Sequence, residues 1–264
     1  MIIKVGDAFK FAFFCILLLT ACSCRNSEKH FTYNHGAIVR GDTTSKQIAL
    51  VFTGDEFGDG GEFITSTLKN RDTKASFFLT GNFYRKREFE PIIRDLLMNG
   101  NYLGSHSDRH ILYCDWTKRD SLLISKKEFS DDLNNSFSEM AAFGIEKEEA
   151  SYFLPPYEWY NDSIASWSNE LGLKIINFTS GTRSNADYTY PEMGSQYIDS
   201  RTIYNSIISN EKKSVSGMNG FILLVHIGTD PRRTDKFYFY LPELLKELKK
   251  SGYKFVRIDE LLRM

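Results

Sequence analysis

Short apolar runs alternate with amphipathic stretches along most of the chain. Seven runs have the length of buried strands: Ile48 to Thr53, Ala75 to Leu79, Tyr102 to Gly104, Tyr152 to Leu154, Leu173 to Phe178, Phe221 to Ile227 and Tyr253 to Ile258. Between them, apolar residues recur at helical spacing in Glu62 to Asn70, Glu88 to Asn99, Lys126 to Phe143, Asp162 to Leu171, Arg201 to Lys213 and Phe237 to Lys250. This alternation predicts a parallel sheet covered by helices.

The number of repeats decides between two architectures of this class. About seven strand and helix units favour a closed or nearly closed (β/α) barrel of parallel strands, since the count approaches that of the eight-stranded barrel. An open doubly wound sheet is the alternative, but no glycine fingerprint of the GxGxxG kind follows the first strand. We expect one barrel domain over residues 47–264, which is long enough to enclose one large core.

The N-terminus has the pattern of a secretory signal. Lys4 and Lys10 precede an apolar run, residues 11–19, that is too short for a permanent transmembrane helix. The following Leu19-Thr20-Ala21-Cys22 resembles the bacterial lipobox, which implies cleavage after residue 21 and acylation of Cys22. An ordinary cleaved signal followed by a chance cysteine is the alternative. Several acyl chains on one residue anchor a protein stably, because each buried CH₂ contributes about 0.8 kcal/mol.

Residues 22–46 are polar and have no sustained period, so we interpret them as a tether between the lipidated cysteine and the domain. Together, the signal and the tether predict a protein held on the bacterial cell envelope by its N-terminal lipid, at the outer membrane or cell surface, with the periplasmic face also open. The membrane is therefore one expected partner.

The charge balance argues against another class of partner. The chain has 33 Lys and Arg against 34 Asp and Glu, a formal net charge of −1. Binding to nucleic acid depends on an excess of basic side chains that neutralise phosphates. We therefore do not expect nucleic acid as a partner.

Polar residues that could do chemistry collect where predicted strands end. In parallel α/β folds this edge carries the functional groups. His106 and His110, in the stretch SHSDRH, share one face of a helical turn if the segment is helical, and neutral imidazoles bind zinc. Asp55, which follows the first strand, is the expected third ligand. Two exposed helix histidines without a ligand are the alternative.

His226 ends the apolar run Ile222 to Val225, so its ring is expected at the rim of the barrel. Burial disfavours the charged imidazolium and a nearby carboxylate favours it. A histidine in that position can act as a general acid or base near neutral pH. A purely structural histidine is the alternative.

Four motifs occur in order along the chain: Leu50-Val51-Phe52-Thr53-Gly54-Asp55, His106-Ser107-x-x-His110, Leu154-Pro155-Pro156-Tyr157 and Leu223-Leu224-Val225-His226. They resemble the motifs of the polysaccharide deacetylases with a NodB homology domain, the carbohydrate esterase family 4 type. The resemblance implies a distorted (β/α) barrel in which an Asp and two His hold a divalent metal, usually zinc. It also implies a carboxylate base and a late histidine as acid.

The resemblance carries specific roles to this chain. It implies that Asp55, His106 and His110 hold the metal, with zinc expected and cobalt or nickel as alternatives, and that Asp55 or Glu56 supplies the base. His226 would protonate the leaving group. The backbone N–H of Tyr157 would bind the oxyanion, and Trp159 is a candidate platform for a sugar ring. The implied reaction removes an N- or O-linked acetyl group from a polysaccharide or oligosaccharide, so an acetylated glycan is the expected substrate.

The chain departs from the family pattern at three places. The two consecutive acids of the first motif are replaced by Thr53 and Gly54, and only a shift of one or two residues brings Asp55 and Glu56 into their place. The Arg that begins the third motif is Leu154. The stretch from residue 177 to 180 lacks the Asp that accompanies the acid histidine. Arg183 and Asp187, in the following loop, are candidates for that role, and Arg183 is also a candidate substrate contact.

These departures leave two functions open. The three histidines favour a metal-dependent deacetylase with an altered base. The missing acids favour a lipid-anchored carbohydrate-binding protein on the same fold. A structural lipoprotein without a site agrees poorly with three histidines at strand ends.

Overall fold

A computed structural model of the chain describes residues 30–263. Its strands are β1 Thr32–Asn34, β2 Ala37–Arg40, β3 Gln47–Gly54, β4 Ser76–Leu79, β5 Tyr102–Ser105, β6 Tyr152–Phe153, β7 Lys174–Ile175, β8 Phe221–His226 and β9 Lys254–Val256. Its α-helices are α1 Gly61–Asn70, α2 Gly81–Arg85, α3 Glu90–Met98, α4 Lys126–Ala141, α5 Asp162–Glu170, α6 Ser200–Lys213, α7 Leu241–Lys250 and α8 Ile258–Leu261. Each of the seven runs expected to be strands contains one.

Seven parallel strands form a curled sheet in the order β7-β6-β5-β4-β3-β8, with β9 paired to the first half of β3. The central strand β3 pairs along Val51–Gly54 with β4 and along Ile48–Thr53 with β8. The predicted distorted barrel is confirmed. Because every strand runs the same way, all their carboxyl ends meet at one edge.

Alternate residues of β3 enter two different parts of the core. Ile48, Leu50 and Phe52 belong to the large cluster between sheet and helices. Ala49 and Val51 belong to a smaller cluster inside the curled sheet. Burial on both faces explains why the strand appears in the sequence as a continuous apolar run without alternation.

Local signals explain where helices begin. Ser125 and Glu128 form a capping box at the start of α4, and the Asn161 side chain accepts a hydrogen bond from the third residue of its helix, α5. Two predicted helices begin later than expected, because a single 3-10 turn precedes α3 and α7. In both cases a proline, Pro91 or Pro242, lies in the first α-helical turn.

The tether prediction is wrong for the residues after 30. Strands β1 and β2 form an antiparallel hairpin, and Ala37 and Ile38 are buried. The Asn177 backbone N–H donates to the Ile38 carbonyl at 2.9 Å. The Thr179 hydroxyl donates to the Val39 carbonyl at 2.6 Å. The apolar run Ala37 to Val39 is too short to stand out in a polar segment, yet it covers the sheet beside β7.

The chain after β7 then approaches the far side of the barrel, because the Thr179 backbone N–H donates to the Ile222 carbonyl of β8 at 3.0 Å. The hairpin and this crossing segment fill the gap between β7 and β8, which are not paired with each other. The domain therefore begins at the hairpin and not at residue 47.

The signal peptide, Cys22 and the start of the tether lie outside the described residues. Within residues 30–263, no helix combines the length and apolar character that crossing a bilayer demands.

The hairpin makes a testable contribution to stability. Ile38→Ala should lower the free energy of unfolding by about 2 to 3 kcal/mol, because it removes a buried side chain from the inner cluster. Tyr33→Ala, on the exposed strand of the same hairpin, should stay within about 0.5 kcal/mol. Urea denaturation measures both. Equal stability of the two variants would show that these residues behave as a tether.

Candidate active site

A cleft of about 620 Å³ opens at the carboxyl edge of the sheet. Six of the residues singled out in the sequence line it: Asp55, Glu56, His106, His110, Tyr157 and His226. They come from loops after β3, β5 and β6 and from the end of β8. The parallel sheet thus brings together side chains that are up to 171 positions apart in the sequence.

The SHSDRH segment is a tight turn and not the helical turn expected for it. Ser107 and His110 have left-handed backbones, with φ of 74° and 55°. The Ser107 hydroxyl accepts the His110 backbone N–H at 3.0 Å, and the Ser105 hydroxyl accepts that of Ser107 at 3.1 Å. The two imidazole rings still lie together, with centroids 5.0 Å apart.

His106 is in the tautomer that can bind a metal. Its Nδ1 lies 2.7 Å from the backbone carbonyl oxygen of Leu154. A carbonyl only accepts hydrogen bonds, so Nδ1 bears the proton and Nε2 keeps its lone pair. Burial, together with the neighbouring His110, holds the pKa of His106 well below its ordinary value, which keeps the ring neutral.

Asp132, a residue that sequence reasoning missed, supports this turn from α4. Its carboxylate accepts the backbone N–H groups of Asp108 and Arg109, both at 3.3 Å, and the Tyr113 hydroxyl at 2.9 Å. Asp132 is buried. The signal in the sequence was an acid on the otherwise apolar face of a predicted helix, next to Leu133.

His110 and Asp55 complete a possible ligand set. Burial lowers the pKa of His110, and the charge of Asp55 partly offsets that effect. One Asp55 oxygen, Oδ1, accepts hydrogen bonds from the Thr80 hydroxyl at 2.8 Å and the Asn82 amide at 3.2 Å. These bonds turn the carboxylate toward the start of α2.

The donor chemistry fits a divalent metal such as zinc: two neutral imidazoles and a carboxylate at a cleft that water can enter. Asp55, His106 and His110 are not drawn together around one point in this structure. Between residues 30 and 263, no three His, Cys, Asp or Glu side chains lie closely enough to form a metal centre as they stand.

The end of β3 shows why the acids are displaced along the chain. A Cβ atom at Gly54 would lie 2.6 Å from Ile227 Cγ2 and 2.9 Å from Leu79 Cδ2, so no side chain fits there. The Thr53 hydroxyl is buried and has no hydrogen-bond partner among the described residues. Glu56 is exposed.

His226 is paired with Asp187. Its Nδ1 lies 2.6 Å from Asp187 Oδ1, and its backbone N–H donates to Oδ2 at 2.9 Å. Burial disfavours the charged ring, but the Asp187 carboxylate outweighs it and raises the pKa of His226. Of the two loop candidates for this role, Asp187 is therefore the residue that meets the histidine.

Arg183, the other candidate, is wrong both as the partner of His226 and as a cleft residue. It is exposed and lines a separate cavity with Tyr197 and Thr202. A different, buried cation, Arg233 from the chain after β8, contacts this loop. Arg233 donates to the Ile198 carbonyl at 3.1 Å and to the Ser200 hydroxyl at 2.8 Å, which fixes the segment after Asp187.

Aromatic rings form one wall of the cleft. The Tyr157 ring lies 4.4 Å from that of His110 and 5.6 Å from that of Trp116. Trp159, expected as a sugar platform, is not among the residues that line the cleft. Its indole N–H donates to the Asp115 carbonyl at 3.1 Å, so it supports the loop that presents Trp116.

The family model for polysaccharide deacetylase matches residues 40–176 of the chain. The protein belongs to the polysaccharide deacetylase family.

Similar proteins agree with this assignment. The peptidoglycan-N-acetylglucosamine deacetylase of Bacillus cereus is 26% identical over 202 residues, which span 76% of this chain and 80% of that protein. A family 4 carbohydrate esterase of Bacillus subtilis has a similar fold, with a TM-score of 0.63 and 21% identity over 86% of this chain and 85% of that one.

A pseudoenzyme of the same esterase family, from Bacillus anthracis, is also similar in fold. Its TM-score is 0.66 at 20% identity, covering 87% of this chain and 70% of that one. A mutant of that pseudoenzyme, described as having restored enzymatic activity, matches with a TM-score of 0.67 at 21% identity over 87% of this chain and 72% of that one.

For a deacetylase-family protein, Leu154 is the second unusual position. Both Leu154 and Thr53 are buried, at 0% and 1% exposure. An arginine at position 154 would be a buried cation without the carboxylate that Thr53 replaces, which costs several kcal/mol. The two replacements are therefore physically consistent with each other.

The His226 and Asp187 pair predicts a specific titration. In Asp187→Asn, the pKa of His226 should fall, because the effect of burial is then opposed by the charge of Glu158 but no longer by that of Asp187. Histidine NMR measures this directly. Asp162→Asn, beside the distant His35 at 3.6 Å, is the control and should leave His226 unchanged.

The free energy of unfolding should also depend on pH through the pKa of His226. Because the folded pKa is raised, the pair stabilises the protein fully below about pH 6.5, and the contribution disappears as pH rises through the folded pKa. An unchanged His226 titration in Asp187→Asn would contradict the charged pair.

Proposed function

We propose that this protein is a metal-dependent hydrolase that removes acetyl groups from a glycan, most directly from N-acetylated amino sugars. One observation carries the proposal. The metal-binding tautomer of His106 stands beside His110, in the same cleft as Asp55 and the His226 and Asp187 pair. Ligands for a Lewis acid and a charged proton donor are what amide hydrolysis needs.

Each group has a task in this reaction. Asp55, His106 and His110 would hold zinc, or cobalt or nickel, and the ion would polarise the acetyl carbonyl and lower the pKa of a water molecule. His226, kept protonated by Asp187, donates a proton to the leaving nitrogen. Tyr157 lies against His110, where its backbone N–H is the proposed donor to the developing oxyanion.

The shape of the cleft supports a sugar substrate. Trp116, Tyr157 and Tyr188 are 53%, 43% and 45% exposed, although large aromatic side chains are normally more buried. Tyr157 lies beside His110, Trp116 lies beside Tyr157, and the Tyr188 ring is 5.5 Å from that of His226. Exposed aromatic faces on both sides of the reacting groups suit the flat apolar faces of a pyranose ring.

The relatives narrow the substrate class. The Bacillus cereus relative acts on peptidoglycan N-acetylglucosamine, as its name states, and another, from Arthroderma benhamiae, is a chitin deacetylase. Both names specify N-acetylglucosamine polymers. We propose such a polymer as the substrate here, and the reaction as hydrolysis of its carbon–nitrogen amide bond.

The lipobox at Cys22 supports a place for this activity on the cell envelope. A protein lipidated there should incorporate a palmitate analogue in a bacterial host, and Cys22→Ser should abolish the label while leaving the folded domain unchanged. Cys114→Ser is the control, because that thiol is buried in the domain. Equal labelling of wild type and Cys22→Ser would refute the anchor.

A second function is favoured by one observation. Neither position 53 nor 54 has an acid, and Gly54 has no room for one. A protein on this fold that only binds carbohydrate would need no acidic residue at either position. Such a protein would bind chitin oligosaccharides equally well with and without metal, and would release no acetate.

Acetate release from N-acetylglucosamine oligomers and from peptidoglycan tests the enzyme directly. Wild type should release acetate, and a chelator should stop it until zinc or cobalt is restored. The His106→Ala/His110→Ala double variant should lose at least about 100-fold in rate, because it lacks two of three ligands. His35→Ala, which changes a histidine outside the cleft, should retain full activity.

Two results would contradict the proposal. Release of acetate that persists in the double variant would exclude His106 and His110 as ligands. Saturable glycan binding without any acetate release, unchanged by the chelator, would favour the binding protein.

A further inference from the structure

Glu158 is a further carboxyl group in the cleft, besides Asp55 and Glu56. It follows Tyr157 in the loop after β6 and lines the cleft with Thr53 and His226. Sequence reasoning missed it, because it directly follows the Pro-Pro-Tyr motif and resembles an ordinary loop acid.

The backbone holds Glu158 in an unusual conformation. Tyr157 and Glu158 both have left-handed backbones, with φ of 59° and 53°. Residues other than glycine adopt this region at a cost and do so often at functional sites. The Glu158 backbone N–H donates to the Pro155 carbonyl at 3.1 Å, and its own carbonyl accepts the Asn177 amide at 2.8 Å. These bonds fix the turn that sends two consecutive side chains to the cleft.

The electrostatic surroundings suit proton transfer. Burial raises the pKa of Glu158 to about 7, with His226 lowering it and Asp187 raising it. Tyr188 faces the same group, since the charge of Glu158 contributes to the raised pKa of that phenol. A carboxyl group that titrates near neutral pH is half ionised under working conditions, which is where a general base is most effective.

Position 53 is where a base is missing. Thr53 pairs directly with His226 in the register of β3 and β8. An acidic residue at position 53 would therefore lie beside His226, the proposed proton donor. The hydroxyl that is there is buried, neutral and without a partner in the described chain. Asp55 is held by Thr80 and Asn82 and is a proposed ligand, and Glu56 is exposed.

We propose that Glu158 is the general base of the hydrolysis, and that it approaches the reacting water from the β6 loop in place of the acid lost at position 53. The inference rests on the proposed function. In this proposal the carboxylate comes from the loop after β6 instead of the end of β3, and it still interacts with the charge of His226.

The proton balance closes with these residues. A water molecule gives one proton to the Glu158 carboxylate as its oxygen bonds to the acetyl carbon. The carbon–nitrogen bond then breaks, and its electron pair remains on the nitrogen, which takes the proton of His226. The products are a free amine and acetic acid, which ionises in solution. Transfer of the proton from Glu158 to His226 restores both groups.

Glu158→Gln tests the role with little change in shape. We expect kcat to fall by about 100-fold or more, with KM and the zinc Kd within about threefold of wild type. Glu158→Asp, which keeps a carboxylate, should recover part of the rate. Glu149→Gln, an exposed acid away from the cleft, is the control.

A second measurement is independent of turnover. In protein labelled with ¹³C at glutamate carboxyl groups, one signal should titrate near pH 7 and be absent from Glu158→Gln. The same group should appear as the acidic limb of the kcat/KM profile in wild type, and this limb should disappear in the variant. Both results are expected if Glu158 is the base.

The outcomes separate this inference from the proposed function. If wild type releases acetate and Glu158→Gln does so within threefold, with an unchanged pH profile, Glu158 is not the base and the deacetylase function stands. If Glu158→Gln loses zinc affinity as strongly as activity, its role is structural and the inference is overturned. If wild type releases no acetate from any N-acetylglucosamine polymer, both proposals fall.

Discussion

The parallel pairing of β3 with β4 on one side and β8 on the other brings the loop after β3 and His226 to one edge of the sheet, and the pairs β4–β5 and β5–β6 add the loops that carry the other cleft residues. Thr53 lies opposite His226 because of the register between β3 and β8, and residues of the loops after β3 and β5 line the same cleft. The register is strongly specified, since alternate β3 residues enter two different buried clusters and a slip of one residue would exchange them. The chemistry therefore depends on the packing of one strand.

This register also limits how the site can change. Gly54 faces Ile227 and Leu79 so closely that no acid fits, and Thr53 occupies the other position of the family's acid pair. The carboxylates that line the cleft come from loops: Asp55 and Glu56 follow β3, Glu158 follows β6, and Asp230 follows β8. A family member can thus keep its histidines and rearrange its acids without altering the barrel.

The sequence predicted the barrel because strands buried on both faces leave continuous apolar runs, which are hard to mistake for amphipathic helices. It predicted Asp55, His106, His110 and His226 because each follows such a run. It missed helix α2, whose five residues are too few for a period, and the hairpin, whose apolar run from Ala37 to Val39 is only three residues long. The SHSDRH turn was assigned to a helix, since spacing alone does not reveal left-handed residues.

Contacts between residues that are far apart in the sequence could not be predicted from local sequence patterns. Arg183 and Asp187 were equivalent candidates in one loop, and only the fold shows that Asp187 meets His226 while Arg183 faces solvent. Asp132 and Arg233 support the site through backbone groups, which no motif records. Trp159 was assigned to the substrate, whereas its indole holds the loop that presents Trp116.

We propose that the cleft holds one catalytic metal through Asp55, His106 and His110. A crystal structure with zinc, read by anomalous scattering at the zinc edge, tests it most directly. We expect one strong peak within about 2.3 Å of His106 Nε2, a His110 ring nitrogen and an Asp55 oxygen. A cleft without a peak at saturating zinc, or a peak that involves neither histidine, would contradict it.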